Sequence, residues 1–308
     1  MKKTFFTGIL ILIIGGIMLA IGVGRGGIKS IYWDDGLKTD EKMVTTRQIK
    51  RVDTIKVAGS NYGPVSIHRG NAAKVMVHAN KSNDIKTKVT GKQLTVSGKS
   101  STSFMNFDDH RGTTVEITVP KNTQIKSIDH GGNTNVNVAD LTVQTLRSTG
   151  NGDLNLANVK VLNTLNVPDR NYGDTTMNNV TFDKGLNINA AGDVTIRNSR
   201  FVKADSRIRS TDGDVNLSNN RWRNLTITSS NGDLNLEDQI VKTTLTAETA
   251  DGDLTARIMP HAGMGIHASS PNGDTSIYGK TQRNYGQAKA TGQQFQLRSS
   301  NGDVTVTR

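Results

Sequence analysis

Residues 229–236 read SSNGDLNL, and residues 299–306 repeat the pattern as SSNGDVTV. The central Gly-Asp pair occurs eight times between residues 152 and 303, and successive glycines are 21, 19, 21, 19, 20, 21 and 29 residues apart. Apolar residues follow most of these glycines at two and four positions, as Leu234 and Leu236 do, which is the alternation of a half-buried strand. The pattern predicts an all-β fold, a β-solenoid of stacked coils of about twenty residues each.

Two ladders of equivalent residues follow from this phase, because strands of neighbouring coils pair about 4.8 Å apart and place equivalent positions above one another. Asn-Gly-Asp predicts a turn in which Gly and Asn tolerate positive φ. Asn residues six positions later are predicted to hydrogen-bond between coils. The turn ladder comprises Gly152, Asp153, Gly173, Asp174, Gly192, Asp193, Gly213, Asp214, Gly232, Asp233, Gly252, Asp253, Gly273, Asp274, Gly302 and Asp303. The Asn ladder comprises Asn158, Asn179, Asn198 and Asn219.

Large side chains recur nine positions after the glycine, among them Phe182, Phe201 and Trp222, and are predicted to share a buried face. The 29-residue interval holds an inserted loop near Gln282–Gln294. We expect the last strand to be an exposed edge unless this loop covers it. An up-and-down β-sandwich is the alternative architecture, and the strict phase of the repeat disfavours it.

The N-terminal segment carries a membrane signal. Residues 5–23 are uncharged and mostly apolar, follow Lys2 and Lys3, and end before Arg25. Such a helix would be roughly 28 Å long, enough to cross a bilayer core. The run exceeds the roughly 7–15 apolar residues of a cleaved signal peptide. We therefore predict an uncleaved transmembrane signal anchor, with the N-terminus cytoplasmic and the C-terminal domain extracellular; a cleaved signal peptide is the alternative.

The domain organisation predicted from these patterns has four parts. Residues 1–24 form the anchor, residues 25–50 a linker, residues 51–131 an irregular β region, and residues 132–308 the solenoid repeats. The formal net charge is +11, and residues 1–131 hold 20 Lys and Arg against 10 Asp and Glu. This basic excess indicates either a solvated, solubilising surface or attraction to anionic lipid head groups or anionic wall polymers. Nucleic acid is not expected, because the sequence has no nucleic-acid-binding motif and few aromatic residues.

Four basic residues are the candidate ligand-facing positions. Lys160, Arg200 and Arg221 each stand eight residues after a repeat glycine, so they should project from one side of the stack, with Arg223 nearby. Arg200, Arg221 and Arg223 belong to a basic cluster in the sequence, whose other members are Arg197, Lys203, Arg207 and Arg209. Such side chains bind phosphate and carboxylate groups. The alternative interpretation is a solubilising edge.

Catalytic and metal-binding patterns are missing from the sequence. The chain has no Cys, its six His are scattered without metal-ligand spacing, and it contains no G-x-S-x-G motif. The stacked Asp residues could bind Ca²⁺, but known Ca²⁺ β-roll repeats have a period of about nine residues, and turn chemistry is the preferred interpretation. We predict no cofactor, no metal and no enzyme activity.

The sequence resembles the family of β-strand-repeat proteins called putative adhesins, which includes LiaG-like membrane proteins of Gram-positive bacteria. The resemblance rests on the N-terminal apolar segment, on TTVEITVP at residues 113–120, and on the SSNGD(L/V) repeats; it covers roughly residues 50–308. It implies a cell-envelope protein without catalytic residues. We therefore expect a membrane-anchored adhesin or envelope-binding module, with anionic wall polymers or envelope proteins as its partners. An accessory protein of envelope-stress signalling is the alternative, and an enzyme acting on polysaccharide is a third possibility.

Overall fold

The computed structural model describes residues 31–33, 37–39, 42–60, 63–80, 83–100, 103–105, 113–182, 184–287 and 292–308. These ranges form strands joined by turns and loops, without a helix. The predicted anchor at 1–24 lies outside the described residues. Within those ranges, no helix has the length and hydropathy needed to span a membrane.

The strands that precede the Gly-Asp repeats are β1 (Ile31–Trp33), β2 (Leu37–Thr39), β3 (Lys42–Gln48), β4 (Thr54–Ser60), β5 (Val65–Gly70), β6 (Lys74–Asn80), β7 (Asn83–Thr90), β8 (Gln93–Ser100), β9 (Ser103–Met105), β10 (Thr114–Pro120) and β11 (Ile125–His130). The strands that follow are β12 (Val136–Ala139), β13 (Thr142–Ser148), β14 (Leu154–Ala157), β15 (Lys160–Asn171), β16 (Thr175–Asn178), β17 (Thr181–Phe182), β18 (Asn187–Ala190), β19 (Val194–Arg197), β20 (Arg200–Phe201), β21 (Ser206–Ser210), β22 (Val215–Ser218), β23 (Arg221–Trp222), β24 (Leu225–Ser229), β25 (Leu234–Glu237), β26 (Ile240–Val241), β27 (Thr244–Thr249), β28 (Leu254–Arg257), β29 (Gly265–Ser269), β30 (Thr275–Ile277), β31 (Lys280–Thr281), β32 (Asn284–Gly286), β33 (Gln294–Ser299) and β34 (Val304–Thr307).

Each regular coil has three segments. The coil that begins at Gly213 runs through β22, bends at Asn219, continues through the two-residue strand β23 and ends with β24. Equivalent strands of neighbouring coils pair in parallel, as β22 does with β19 and β25. Inward residues alternate with outward ones, so Val215 and Leu217 are buried while Asn216 between them faces outward. The prediction of an all-β stack of parallel coils is confirmed, and the antiparallel sandwich is excluded.

The first segments form a sheet of 14 strands with the order β3-β6-β10-β5-β12-β14-β16-β19-β22-β25-β28-β34-β30-β31. A 17-stranded sheet contains the other two segments of the coils, and β1, β2 and β9 form a small third sheet. Apolar side chains of both large sheets meet in one continuous core. Within it, the rings of Phe182 and Phe201 lie 5.4 Å apart, and those of Phe201 and Trp222 stack at 4.3 Å.

The order of the coils in space departs from their order in the chain at the C-terminal end. β34 pairs in parallel with β28 on one side and with β30 on the other. β33 likewise lies between β27 and β29. The coil of β33 and β34 therefore lies between two coils that precede it in the sequence. The segment 258–264, which links β28 to β29, passes one level of the stack to leave room for this coil.

The N-terminal end repeats this arrangement. β5 lies between β10 and β12, and β4 lies between β8 and β11, in parallel pairings throughout. The coil of β4 and β5 is thus enclosed by coils that follow it in the sequence. Apart from β9, the strands between Thr54 and His130 belong to the same two sheets as the repeats.

Antiparallel strands cover both ends of the stack. At the N-terminal end, β6 pairs with β10, β3 with β6, and β7 with β8. At the C-terminal end, β31 pairs with β30, and β32 pairs with β29. Such caps limit the exposure of parallel strand edges.

Three sequence predictions need correction here. The last strand, β34, is not an exposed edge, because β28 and β30 flank it. The predicted loop near Gln282–Gln294 contains β32, which covers β29. Lys42–Gln48, placed in the linker, forms β3, whose Val44, Thr45 and Thr46 favour an extended chain.

Candidate functional site

The turn ladder lies along one corner of the stack. The backbone N–H of Asp214 donates to Oδ1 of Asp193 at 2.9 Å, and the N–H of Asp233 donates to Oδ1 of Asp214 at 2.9 Å. The same bond joins all eight Asp residues, in the spatial order Asp153, Asp174, Asp193, Asp214, Asp233, Asp253, Asp303 and Asp274. Each interior carboxylate is therefore an acceptor for the next coil, which is a structural role.

The turn glycines are required by close backbone approach. A Cβ added to Gly213 would overlap the carbonyl group of Gly192 and lie 2.7 Å from the nitrogen of Asp193. None of the eight ladder glycines, all of which the structure describes, has a positive φ. The prediction of positive φ in the Asn-Gly-Asp turn is therefore wrong for these glycines.

Positive φ occurs in the Asn ladder instead. Asn158, Asn179, Asn198 and Asn219 have φ of 55°, 54°, 52° and 55°, a conformation that Asn tolerates better than most residues. These residues bend the coil between its first two segments. The Nδ2 of Asn179 donates to Oδ1 of Asn158 at 2.8 Å, whereas that of Asn198 donates to Asn178 at 3.1 Å. The Asn ladder is thus part of the coil's own construction.

The two-residue strands form a narrow face on which the basic residues lie in register. Lys160 pairs with Thr181, Thr181 with Arg200, and Arg200 with Arg221, and the column ends at Ile240. We call Lys160, Arg200 and Arg221 the basic column. Neighbouring positions are about 4.8 Å apart along the stack.

The other basic residues of the predicted cluster are spread over the coil. Arg197 ends β19 in the 14-stranded sheet, whereas Arg207 and Arg209 lie in β21, the third segment of their coil. Arg223 is paired with Asp205, with Nε 3.3 Å from Oδ1. The basic cluster in the sequence is therefore divided among the three segments of a coil, which face different directions.

Arg200 and Arg221 carry adjacent positive charges that no described acidic side chain balances. Within the described ranges, neither guanidinium forms a salt bridge, and both side chains are exposed. Their Cα atoms are direct register partners. Like charges placed opposite one another on neighbouring strands repel. The Asp ladder tolerates such stacking because backbone N–H groups bond its carboxylates, but these two guanidinium groups have no comparable protein acceptor among the described residues.

A cleft of about 660 Å³ opens where the column of two-residue strands ends. The neighbouring segment 258–264 passes one level of the stack without forming a strand, so no two-residue strand of the described chain covers β26. The cleft is lined by Asn219, Arg221, Asp238, Gln239, Ile240, Arg257, Ile258, Met259, His261, Gln293 and Phe295. Of the predicted site residues, Arg221 and Asn219 lie in this lining, whereas Lys160, Arg200 and Arg223 do not.

Buried polar side chains support the wall behind the cleft. The Nδ2 of Asn220 donates to the carbonyl of Ile196 at 2.8 Å and to Oε1 of Gln239 at 3.3 Å. The indole N–H of Trp222 donates to the same Oε1 at 2.9 Å. Oδ1 of Asn220 accepts from the N–H of Ser199 at 2.9 Å. Because these bonds satisfy buried groups at several levels of the stack, they hold the neighbouring coils in a defined register.

His130 is the buried histidine of the described core and has a structural role. Its Nε2 lies 2.6 Å from the carbonyl oxygen of Thr134, and its Nδ1 lies 2.7 Å from Oγ of Ser148. Burial lowers the pKa of His130 below its ordinary value, so the neutral ring donates from Nε2 and accepts at Nδ1. No group of three or more metal-ligating His, Asp or Glu side chains occurs in the ranges that the structure describes.

Sequence reasoning identified the basic column but missed the cleft. Ile240 stands eight residues after Gly232, at the position that carries Lys160, Arg200 and Arg221 in other coils. An apolar residue at a position that is otherwise basic and exposed could have indicated an apolar site at this level of the stack. No sequence pattern indicated that Met259 and Phe295 would line the cleft, because their positions depend on the displaced C-terminal coil.

The Toastrack DUF4097 family model matches residues 52–307. No curated protein matches the chain. Among solved structures, a putative lipid binding protein from Parabacteroides distasonis ATCC 8503 has a TM-score of 0.51 and 11% identity, and the similarity covers 86% of this chain and 97% of that one. A putative adhesin from Parabacteroides merdae ATCC 43184 has a TM-score of 0.46 and 11% identity, over 87% of this chain and 97% of that one. At 11% identity, the likeness to the first of these concerns the fold alone.

Proposed function

The chain belongs to the Toastrack DUF4097 family, and we propose that this adhesin-like β-repeat protein is a non-catalytic binding protein of the cell envelope. Its ligand in this proposal is an anionic wall polymer, which lies along the basic column. The polymer's phosphate or carboxylate groups take the place of the missing protein acceptors beside Arg200 and Arg221.

The observation that carries this proposal is the pair of adjacent, exposed guanidinium groups without a salt-bridge partner among the described residues. An anion between Arg200 and Arg221 would relieve their repulsion, and guanidinium groups hold phosphate or carboxylate through two parallel hydrogen bonds. Lys160 extends the same column two levels away. A ligand with repeated charges can therefore contact several levels of the stack at once, which raises its avidity.

The binding test compares two double variants of the full chain that lose the same charge. Arg200→Gln with Arg221→Gln should weaken binding to isolated Gram-positive cell walls at least about tenfold, since a single charge-assisted hydrogen bond contributes about 1.5–3 kcal/mol. Binding by the unaltered chain should also fall as salt is raised. Co-sedimentation with walls at several protein concentrations measures both effects.

Arg207→Gln with Arg209→Gln is the matched control, because these arginines lie in the third segment of the same region of the stack. This variant should bind walls within about twofold of the unaltered chain, as expected for charges outside the contact. Equal losses in the two double variants would mean that the net charge, and not the basic column, binds the wall. Walls stripped of their anionic polymers should bind neither variant.

The proposal includes membrane attachment through residues 1–24, with the solenoid on the outer side. The support is the apolar run at residues 5–23, preceded by Lys2 and Lys3. On intact cells, external protease should remove a C-terminal tag from a membrane-bound chain of full length. A protected tag would place the solenoid in the cytoplasm and contradict the proposal. A shortened chain in the medium would show that the segment is a cleaved signal peptide.

A further inference from the structure

We propose that the cleft at the end of the basic column binds an anionic amphiphile, a ligand with one apolar chain and one carboxylate or phosphate head group. The cleft volume of about 660 Å³ lies within the range of roughly 300–1,000 Å³ typical of small-molecule sites. It shares Arg221 with the proposed polymer contact, but its apolar part lies beyond this last basic residue of the column.

The floor of the cleft is apolar. Ile258 and Phe295 are buried at 7% and 2% exposure and close its inner side. Ile240 and Met259 flank it and remain 50% and 64% exposed. Large apolar side chains with this exposure are few in the described ranges, and two of them lie at this one cleft. An apolar chain laid against Ile240 and Met259 would remove their surface from water.

The charges of the cleft favour one anionic group. Arg257 is already paired with two carboxylates, since its Nη2 lies 2.5 Å from Oε1 of Glu237 and also contacts Asp238. His261 is bonded through Nε2 to Oε1 of Gln293 at 3.2 Å. Arg221 is left as the lining cation without a salt bridge to any described residue. A ligand that fills both parts of the cleft must therefore place an anion at Arg221 and an apolar chain against the floor.

The architecture of the fold produces this site. The path of 258–264 past one level leaves β26 uncovered, while the inserted β33 supplies Phe295 from a distant part of the chain. At the preceding levels of the stack, each two-residue strand is covered by the next one, as β23 covers β20. The cleft is therefore specific to the C-terminal level at which 258–264 leaves the regular path of the stack.

Photo-crosslinking of the full chain with a diazirine derivative of dodecanoate tests the proposal. The label should map to peptides that carry Ile240 or Met259, and dodecyl phosphate should compete with it. Dodecanol should compete about tenfold less well, because it has no charge for Arg221. Inorganic phosphate should not compete. Stronger competition by phosphatidylglycerol than by phosphatidylcholine vesicles would identify a bilayer lipid as the source of the ligand, and competition by free dodecanoate alone would identify a free amphiphile.

Matched variants separate this site from the basic column. Arg221→Gln should weaken labelling about tenfold, whereas Arg200→Gln, one level away and outside the lining, should leave it within about twofold. Met259→Asp should abolish labelling, and Val44→Asp, at an equally exposed apolar residue, should not. Circular dichroism of each variant confirms that it is folded.

Equal labelling of all four variants, label spread over other exposed apolar residues, or competition by inorganic phosphate would overturn the proposal. Loss of wall binding in Arg200→Gln with unchanged labelling would separate the two sites. If the protein failed to bind walls but was labelled as expected, the proposed function would be wrong and the cleft proposal would still hold.

Discussion

Replacement of Trp222 by alanine is expected to lower the free energy of unfolding by about 3–5 kcal/mol, the usual loss when a fully buried aromatic residue is truncated. Trp222 is 1% exposed and stacks on Phe201 at 4.3 Å, so its removal leaves a cavity in the middle of the stack. Gln239 also loses the indole N–H that donates to its Oε1 at 2.9 Å. Urea denaturation of the full chain, followed by far-ultraviolet circular dichroism, measures the loss.

Two substitutions define how specific this effect is. Trp222→Phe should cost less than half as much, because a phenyl ring still stacks on Phe201 and fills most of the space. Ile240→Ala, in the next coil and half-exposed, should change stability by no more than about 0.5 kcal/mol. A similar midpoint for Trp222→Ala and Ile240→Ala would mean that the aromatic column of Phe182, Phe201 and Trp222 does not support the stack.

Gly213→Ala is expected to lower the free energy of unfolding by about 3 kcal/mol, the upper part of the range for overpacking a closely packed site. A methyl group there would overlap the carbonyl group of Gly192, and Gly232 approaches the carbonyl of Gly213 from the next coil. Since these contacts are with backbone, no side-chain rotation can relieve them. Thermal and urea denaturation of the full chain both test this prediction.

Gly131→Ala is the matched control for this steric effect. A methyl group at Gly131 would meet its nearest neighbours, Thr149 and Val57, at 3.7 Å, which is ordinary van der Waals contact. Its φ is not positive, so alanine should be tolerated, with a change of less than about 1 kcal/mol. Comparable destabilisation by both substitutions would show that backbone approach at the turn corner is not what requires glycine.

These two positions matter for function because the basic column exists only while the coils keep their register. Arg200 and Arg221 are adjacent because β20 and β23 pair in register. The aromatic column and the turn glycines act on the same coils from the inside and at the corner. A variant that loosens either one should therefore lose wall binding in parallel with stability, whereas Arg200→Gln should lose wall binding alone.

Much of the fold was predictable from the repeat itself. The Gly-Asp phase predicted parallel coils of about twenty residues, and the position eight residues after each glycine correctly placed Lys160, Arg200 and Arg221 on one face. The resemblance to a β-repeat adhesin family is confirmed by the match to residues 52–307. These features depend on local alternation and on period, which are properties of the linear sequence.

One buried polar position of the repeat could have been predicted from the sequence but was not. The position seven residues after the glycine carries Ser199, Asn220 and Gln239, which are buried and hydrogen-bonded to one another or to the adjacent backbone. These polar residues indicate a buried network only if the coil is known to bend after its first strand, because the bend turns their side chains inward. That bend lies at the Asn ladder, where φ is positive, and not at the turn glycines.

The sequence by itself thus determined the coil, its period and the residues that each coil presents inward and outward. Only the tertiary structure decided which coil lies beside which. Every coil presents the same strand edges in the same phase, so local pairing energy does not distinguish a neighbour in sequence from a more distant coil. The enclosed position of β33 and β34, the antiparallel caps and the open level above β26 result from packing between distant segments. The cleft beside Arg221 exists because of that choice, since it forms at the level where 258–264 leaves the regular path of the stack.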